Sequence, residues 1–146
     1  MNIVKKYERL RYNVKQTKNE YSKVNNLAIK GFEVITYAHN TKAEVSHIKK
    51  EIVDYLLKQV TFTVDEIYDQ ELQGWTVAVP EIDLYGEGDT KKEAIADLLS
   101  SIHEYISLYT ESEFLSNHEA AEKQAAIIKL MRCEHDDEMR EVLGLK

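Results

Sequence analysis

At 146 residues, with 43% hydrophobic and 31% charged residues, the chain suits one compact domain or two very small ones and is too apolar to be disordered. No apolar run approaches the ~20 residues of a membrane span, no signal-like apolar stretch follows the N-terminus, and the single cysteine, Cys133, cannot staple the chain; a soluble cytoplasmic protein without a membrane partner is expected. The formal charge of −7 is unevenly placed: residues 1–30 hold eight Lys/Arg against two acids, 31–60 balance, and 61–146 carry a net −13, so the two ends suit partners of opposite charge unless both are merely solvated faces.

In the first segment Tyr7, Leu10, Val14, Tyr21, Val24 and Ala28 fall at helical spacing, which predicts one long helix or two short ones ending at Gly31. Phe32, Val34 and Thr36 then alternate before a polar turn at His39–Asn40–Thr41 and a second short run to Val45, a hairpin signal. Ser46 is the expected cap of a helix with Ile48, Ile52, Tyr55 and Leu56 on one stripe.

The period then changes. "VTFTV" at 60–64 and "WTVAV" at 75–79 alternate cleanly, with "DQELQG" as the turn between two antiparallel strands. Pro80 cannot donate to a sheet ladder and ends the pairing, and "IDLYGEG" reads as a third strand with Gly86 and Gly88 allowing a bulge. Thr90 and Glu93 form a capping box for a helix whose stripe is Ile95, Leu98, Leu99, Ile102, Tyr105, Ile106 and Tyr109; that stripe needs a sheet to lie on. From Asn117 the chain reads as helical again, with Ala121, Ala125, Ile128 and Met131 on one face. A break at Cys133–Asp137 precedes a last helix bearing Met139, Val142 and Leu143.

The hairpin, the third strand through "DLYGEGDT" and the capped helix "KKEAIADLL" resemble the HicB-like antitoxin fold, a partial RNase H-like unit. Residues 61–110 carry the match, most specifically "GWTVAVPEIDLYGEGDT", and the likeness extends to RelB-type antitoxins of RelE/RelB-like toxin–antitoxin systems, including the tail "NHEAAEKQAAIIKLMRCEHDDEMREVLGL". Residues 1–58 resemble a degenerate Phd/YefM module, the DNA-binding and dimer-forming half of many antitoxins, with Glu44 where an apolar residue is usual. The resemblance implies an α+β chain: a small α/β-hairpin module at 1–58, then at 61–146 a HicB-like three-stranded sheet packed on a long helix, with a helical tail. It further implies a type II antitoxin that neutralises a small basic RelE/ParE-like toxin and represses its own operon. The expected partners are the toxin, operator DNA and a second copy of the chain.

On this reading Lys5, Lys6, Arg9, Arg11, Lys15 and Lys18 contact DNA phosphates, while Trp75, Tyr85, Glu87, Met131, Met139 and Leu143 face the toxin. Trp75 and Tyr85 also suit a plain sheet core, and the terminal Met and Leu residues suit either core or partner. Two other functions fit the same residues: a structural or adaptor protein that uses the fold to oligomerise, and a Mg²⁺-dependent nuclease built on Glu81, Asp83, Glu87 and Asp89. The nuclease needs carboxylates converging from several elements, and these four lie within nine residues. Cys133 and His135 lack the second ligand pair of a zinc site, and they stand in a charged run without oxyanion donors. No enzyme activity, metal or cofactor is expected.

Overall fold

The computed structural model describes residues 10–38, 40, 42–112 and 119–145, and the chain divides into two compact units, 1–58 and 59–146. The fold is α+β, with two three-stranded sheets and six helices among the described residues.

In the first unit, β1 (Arg11–Asn13) pairs parallel with β2 (Val34–Tyr37), and β2 pairs antiparallel with β3 (Glu44–His47). Helices α1 (Val14–Asn19) and α2 (Tyr21–Ile29) connect β1 to β2, and α3 (Lys50–Leu57) follows β3. The expected initial helix therefore starts later than its stripe. Tyr12 is buried with Val24 and Val34, which draws residues 11–13 into the sheet; Val14 and Tyr21, from the same stripe, are exposed. Asn13 then ends β1 and caps α1 by accepting from the Gln16 N–H, while the Gln16 side chain accepts from the Asn13 N–H. Gly31 takes a left-handed φ of 102°, the expected glycine stop. Ser46 does not cap α3: it lies inside β3 and donates to Glu33, and α3 begins at Lys50 without a side-chain cap.

In the second unit, β4 (Asp65–Asp69), β5 (Gly74–Val79) and β6 (Leu84–Gly88) form an antiparallel sheet in that order. The first strand is displaced from the expected 60–64. A four-residue turn closes on the Asp69–Gly74 pair, and this register reaches Ala78 opposite Asp65; beyond Val79 stands Pro80, which has no N–H to offer. Residues 60–64 run past the end of β5, with Val60, Phe62 and Val64 packed against the core and the Thr63 N–H donating to the Glu81 carboxylate at 2.7 Å.

Helix α4 (Lys91–Glu111) lies on this sheet and buries Ala94, Ile95, Leu98, Leu99 and Ile102 against Val77, Val79 and Ile82. Its cap is half as expected. The Thr90 hydroxyl accepts from the Glu93 N–H at 3.1 Å, but the Glu93 carboxylate accepts from Asp89 rather than Thr90. Helices α5 (Ala121–Met131) and α6 (Asp136–Leu143) complete the core. In α5 the buried face is Ala126, Ile127 and Leu130, whereas Ile128 and Met131 are exposed. The run "AAIIKLM" is apolar on two neighbouring stripes, and the core takes the one led by Ile127 and Leu130.

Candidate partner-binding surface

The β5–β6 register places Trp75, Val77 and Val79 opposite Gly88, Gly86 and Leu84, all turned towards α4. Both glycines are required by the helix: a Cβ on Gly86 would lie 2.2 Å from the Ala94 carbonyl oxygen, and one on Gly88 would lie 2.6 Å from the Ala94 nitrogen. The opposite face of the sheet carries Asp65, Ile67 and Asp69 from β4, Thr76 and Ala78 from β5, and Tyr85 and Glu87 from β6. No helix covers Tyr85, which is 58% exposed.

Beside that face, between β6 and α4, runs an open groove of about 460 Å³. Asp83, Glu87, Asp97 and Glu104 line it with Tyr85, Tyr105 and Leu108, and no Lys or Arg does. Such a surface attracts cations and offers rings and an aliphatic wall to the stems that carry them.

The four carboxylates considered for a metal do not converge as a nuclease requires. Glu81 is engaged by the Thr63 N–H, Asp83 takes the left-handed last position of the β5–β6 turn at φ 55°, and Glu87 is exposed beside the groove. Asp89 donates its backbone N–H to Glu93 at the entry to α4. A different cluster, Glu134, His135 and Glu138, brings its ligand atoms within 4.8 Å of one another. All three residues are exposed, and Glu138 already accepts the Glu134 N–H. The His103 ring meets Asp136 at 2.7 Å. Burial, then the charge of Glu138, pushes the Cys133 thiol up, the reverse of what a nucleophile needs. His118 lies outside the described residues.

Of the residues assigned to the toxin, Tyr85, Glu87 and Met131 are exposed, and Trp75 is half-buried with its ring 5.3 Å from that of Tyr68. Met139 and Leu143, at 2% exposure, are spent in the core. Of those assigned to DNA, Lys5, Lys6 and Arg9 lie outside the described residues. Lys15 and Lys18 stand exposed on α1. Arg11 is engaged: its guanidinium forms a two-pronged pair with Glu44, 2.6 Å at the shorter contact, and lies 5.3 Å from the centre of the Tyr37 ring. Ile67 and Leu72, both well exposed, carry no expected role, because the strand signal lies in "VTFTV" at 60–64 and "DQELQG" reads as the turn.

A model of the family described as the antitoxin of RelE/RelB toxin–antitoxin systems matches residues 9–145. The chain belongs to this antitoxin family. The antitoxin matches no curated protein. Among solved structures, it is similar to the crystal structure of a chain from Syntrophomonas wolfei subsp. wolfei, described as the antitoxin part of a proposed toxin/antitoxin system. The TM-score is 0.65 over 90% of this chain and 94% of that one. At 16% identity the likeness is one of fold. No helix among the antitoxin's described residues is long and apolar enough to cross a membrane.

Proposed function

We propose that this antitoxin neutralises a small basic RelE/ParE-like toxin with the surface of residues 59–146, and that residues 1–58, as a dimer, bind operator DNA and repress the operon. The observation that carries the reading is the charge division between the two compact units, with a net −13 on residues 61–146 and +6 on residues 1–30. The acidic groove beside Tyr85 supports a cationic protein partner, since a toxin that binds RNA needs a basic surface that an acidic body can mask. The role is non-enzymatic on this reading, and the separate engagements of Glu81 and Asp89 support that.

The dimer is supported by the first unit's thin core. Tyr12, Val24 and Val34 form it, while Val14, Tyr21, Val45, Tyr55 and Leu56 are more than half exposed and no residue of α3 is fully buried. The test is a tagged pull-down from the host with a high-salt wash and mass spectrometry. The reading requires a stoichiometric small basic protein; recovery of the antitoxin alone would leave the family assignment standing and remove the toxin-binding half. A mobility shift with upstream DNA checks the other half, which fails if no salt-sensitive binding appears at low salt.

A further inference from the structure

The two edges of the second sheet are finished differently. On β6 the Glu87 N–H donates to Asp97 at 2.8 Å and the Asp89 N–H just beyond donates to Glu93 at 3.0 Å, so carboxylates from α4 occupy donors that another strand would use. That bond also fixes the phase of the ladder. Because Glu87 turns its N–H away from β5, its opposite residue Thr76 turns towards β4 and bonds with Ile67. Glu66 and Tyr68 therefore direct their N–H and C=O groups outward from β4, where no further strand pairs among the described residues. All five β4 residues are exposed, with Ile67 at 57% and Leu72, just past the strand, at 82%. Of the usual edge defences β4 has negative charge alone, at Asp65, Glu66 and Asp69: the strand holds no proline and no lysine, and its residues pair one-to-one with β5 without a bulge.

We infer that β4 is a pairing edge for an extended basic segment of a partner protein. The segment adds a fourth strand along Glu66–Tyr68, with cationic side chains over Asp65 and Asp69 and an apolar one on Ile67. Charge selects this occupant over a second copy of the chain. A twofold β4–β4 pairing centred on Ile67 would set Asp65 of one copy opposite Asp69 of the other on the same face, within a unit already carrying −13. A basic strand converts both positions into opposite-charge pairs, and its main chain supplies the bonds that Glu66 and Tyr68 leave outward. The inference rests on the toxin-binding reading for the partner's identity, while the edge can be tested without the toxin.

The test uses the full chain and a peptide of about ten residues repeating Lys-Thr-Val-Thr, so that lysine and valine alternate along one face, with glutamate in place of lysine in the control, followed by backbone amide exchange. At about 1 mM lysine–valine peptide, the Glu66 and Tyr68 amides are expected to slow at least tenfold, the control peptide to leave them unchanged, and Ile67→Lys to abolish the effect. Retained Trp75 fluorescence in the variant shows that its sheet is intact. No protection at Glu66 and Tyr68 overturns the inference, as does equal protection by the acidic peptide. Protection that rises with chain concentration alone overturns it in favour of self-pairing. If the wild type and Ile67→Lys recover the same small basic protein from the host equally, the edge is not the toxin contact although the antitoxin reading holds. If neither recovers one, the toxin reading fails and the peptide result still decides the edge.

Discussion

Gly86 meets Leu98 backbone to backbone: a Cβ on the glycine would lie 2.2 Å from the Leu98 nitrogen and 2.7 Å from its Cα. Neither neighbour is a flexible side-chain tip, so the whole of α4 would have to lift from β6, taking Ala94 and Leu98 out of the core. Gly86→Ala is expected to cost at least the ~1–3 kcal/mol of ordinary overpacking. Chemical denaturation followed by Trp75 fluorescence checks this. A midpoint within error of the wild type would mean that the helix approaches less closely than described.

Gln73 holds φ at 52° in the last position of the four-residue β4–β5 turn, as Asp83 does at 55° in the β5–β6 turn. A left-handed conformation costs an ordinary L-residue roughly 1–2 kcal/mol, less for the short polar side chain of aspartate. Replacing the exposed Gln73 by glycine removes that strain and adds chain entropy to the unfolded state. Gln73→Gly is expected to gain a net of about 0.5–1 kcal/mol, seen as a higher thermal midpoint, whereas Gln73→Val, β-branched at the same φ, lowers it.

The second unit was largely readable because its signals agree at several levels. Pro80 and the alternation of Trp75, Val77 and Val79 bound β5, Gly86 and Gly88 admit the helix, and Thr90 starts it. The error in β4 has a local cause. Phe62 and Val64 alternate like a strand, yet a hairpin register is set by its turn, which pairs the charged residues Asp65–Asp69 and leaves the apolar ones beyond Pro80. In α5 two adjoining apolar stripes compete, and periodicity alone cannot choose between Ile127 and Ile128. The first unit was harder to read because its sheet begins with three residues, and a parallel pairing between Arg11 and Ile35 leaves no short-range mark. The open edge at Glu66–Tyr68 was invisible for the same reason as β4 itself, since its existence depends on the register.

Arg11 holds Glu44 across the first sheet, joining β1 to β3 over the intervening β2. The hydrogen bond from Arg11 is the main cause that lowers the Glu44 carboxyl below its ordinary 4.5, with partial desolvation opposing and the arginine charge assisting. A depressed carboxylate stabilises the folded state fully above its unfolded value, and that contribution is lost as the pH falls through the folded one. The pairing of β1 with its neighbours is thus expected to loosen below pH 4.5, and to do so less steeply in Glu44→Gln. Carboxyl NMR titration checks the cause directly: Arg11→Gln should move Glu44 back up to the ordinary range, and an unmoved value would show that the pair does not persist in solution.

The same pair divides the basic residues assigned to DNA. Lys15 and Lys18 are exposed on α1, while the Arg11 guanidinium is already committed to a carboxylate and a ring. Each cation that neutralises a phosphate contributes about 0.9 to the slope of log affinity against log salt. Lys15→Gln and Lys18→Gln are therefore expected to lower that slope by about 0.9 each, and Arg11→Gln to leave it nearly unchanged. Glu44→Gln frees the guanidinium and should strengthen binding, raising the slope by about 0.9 if the arginine then reaches a phosphate. Fluorescence anisotropy with upstream DNA across a salt series measures all four variants. Equal losses from Arg11, Lys15 and Lys18 would mean that the Glu44 pair opens on DNA, and no loss from either lysine would remove α1 from the DNA-binding surface.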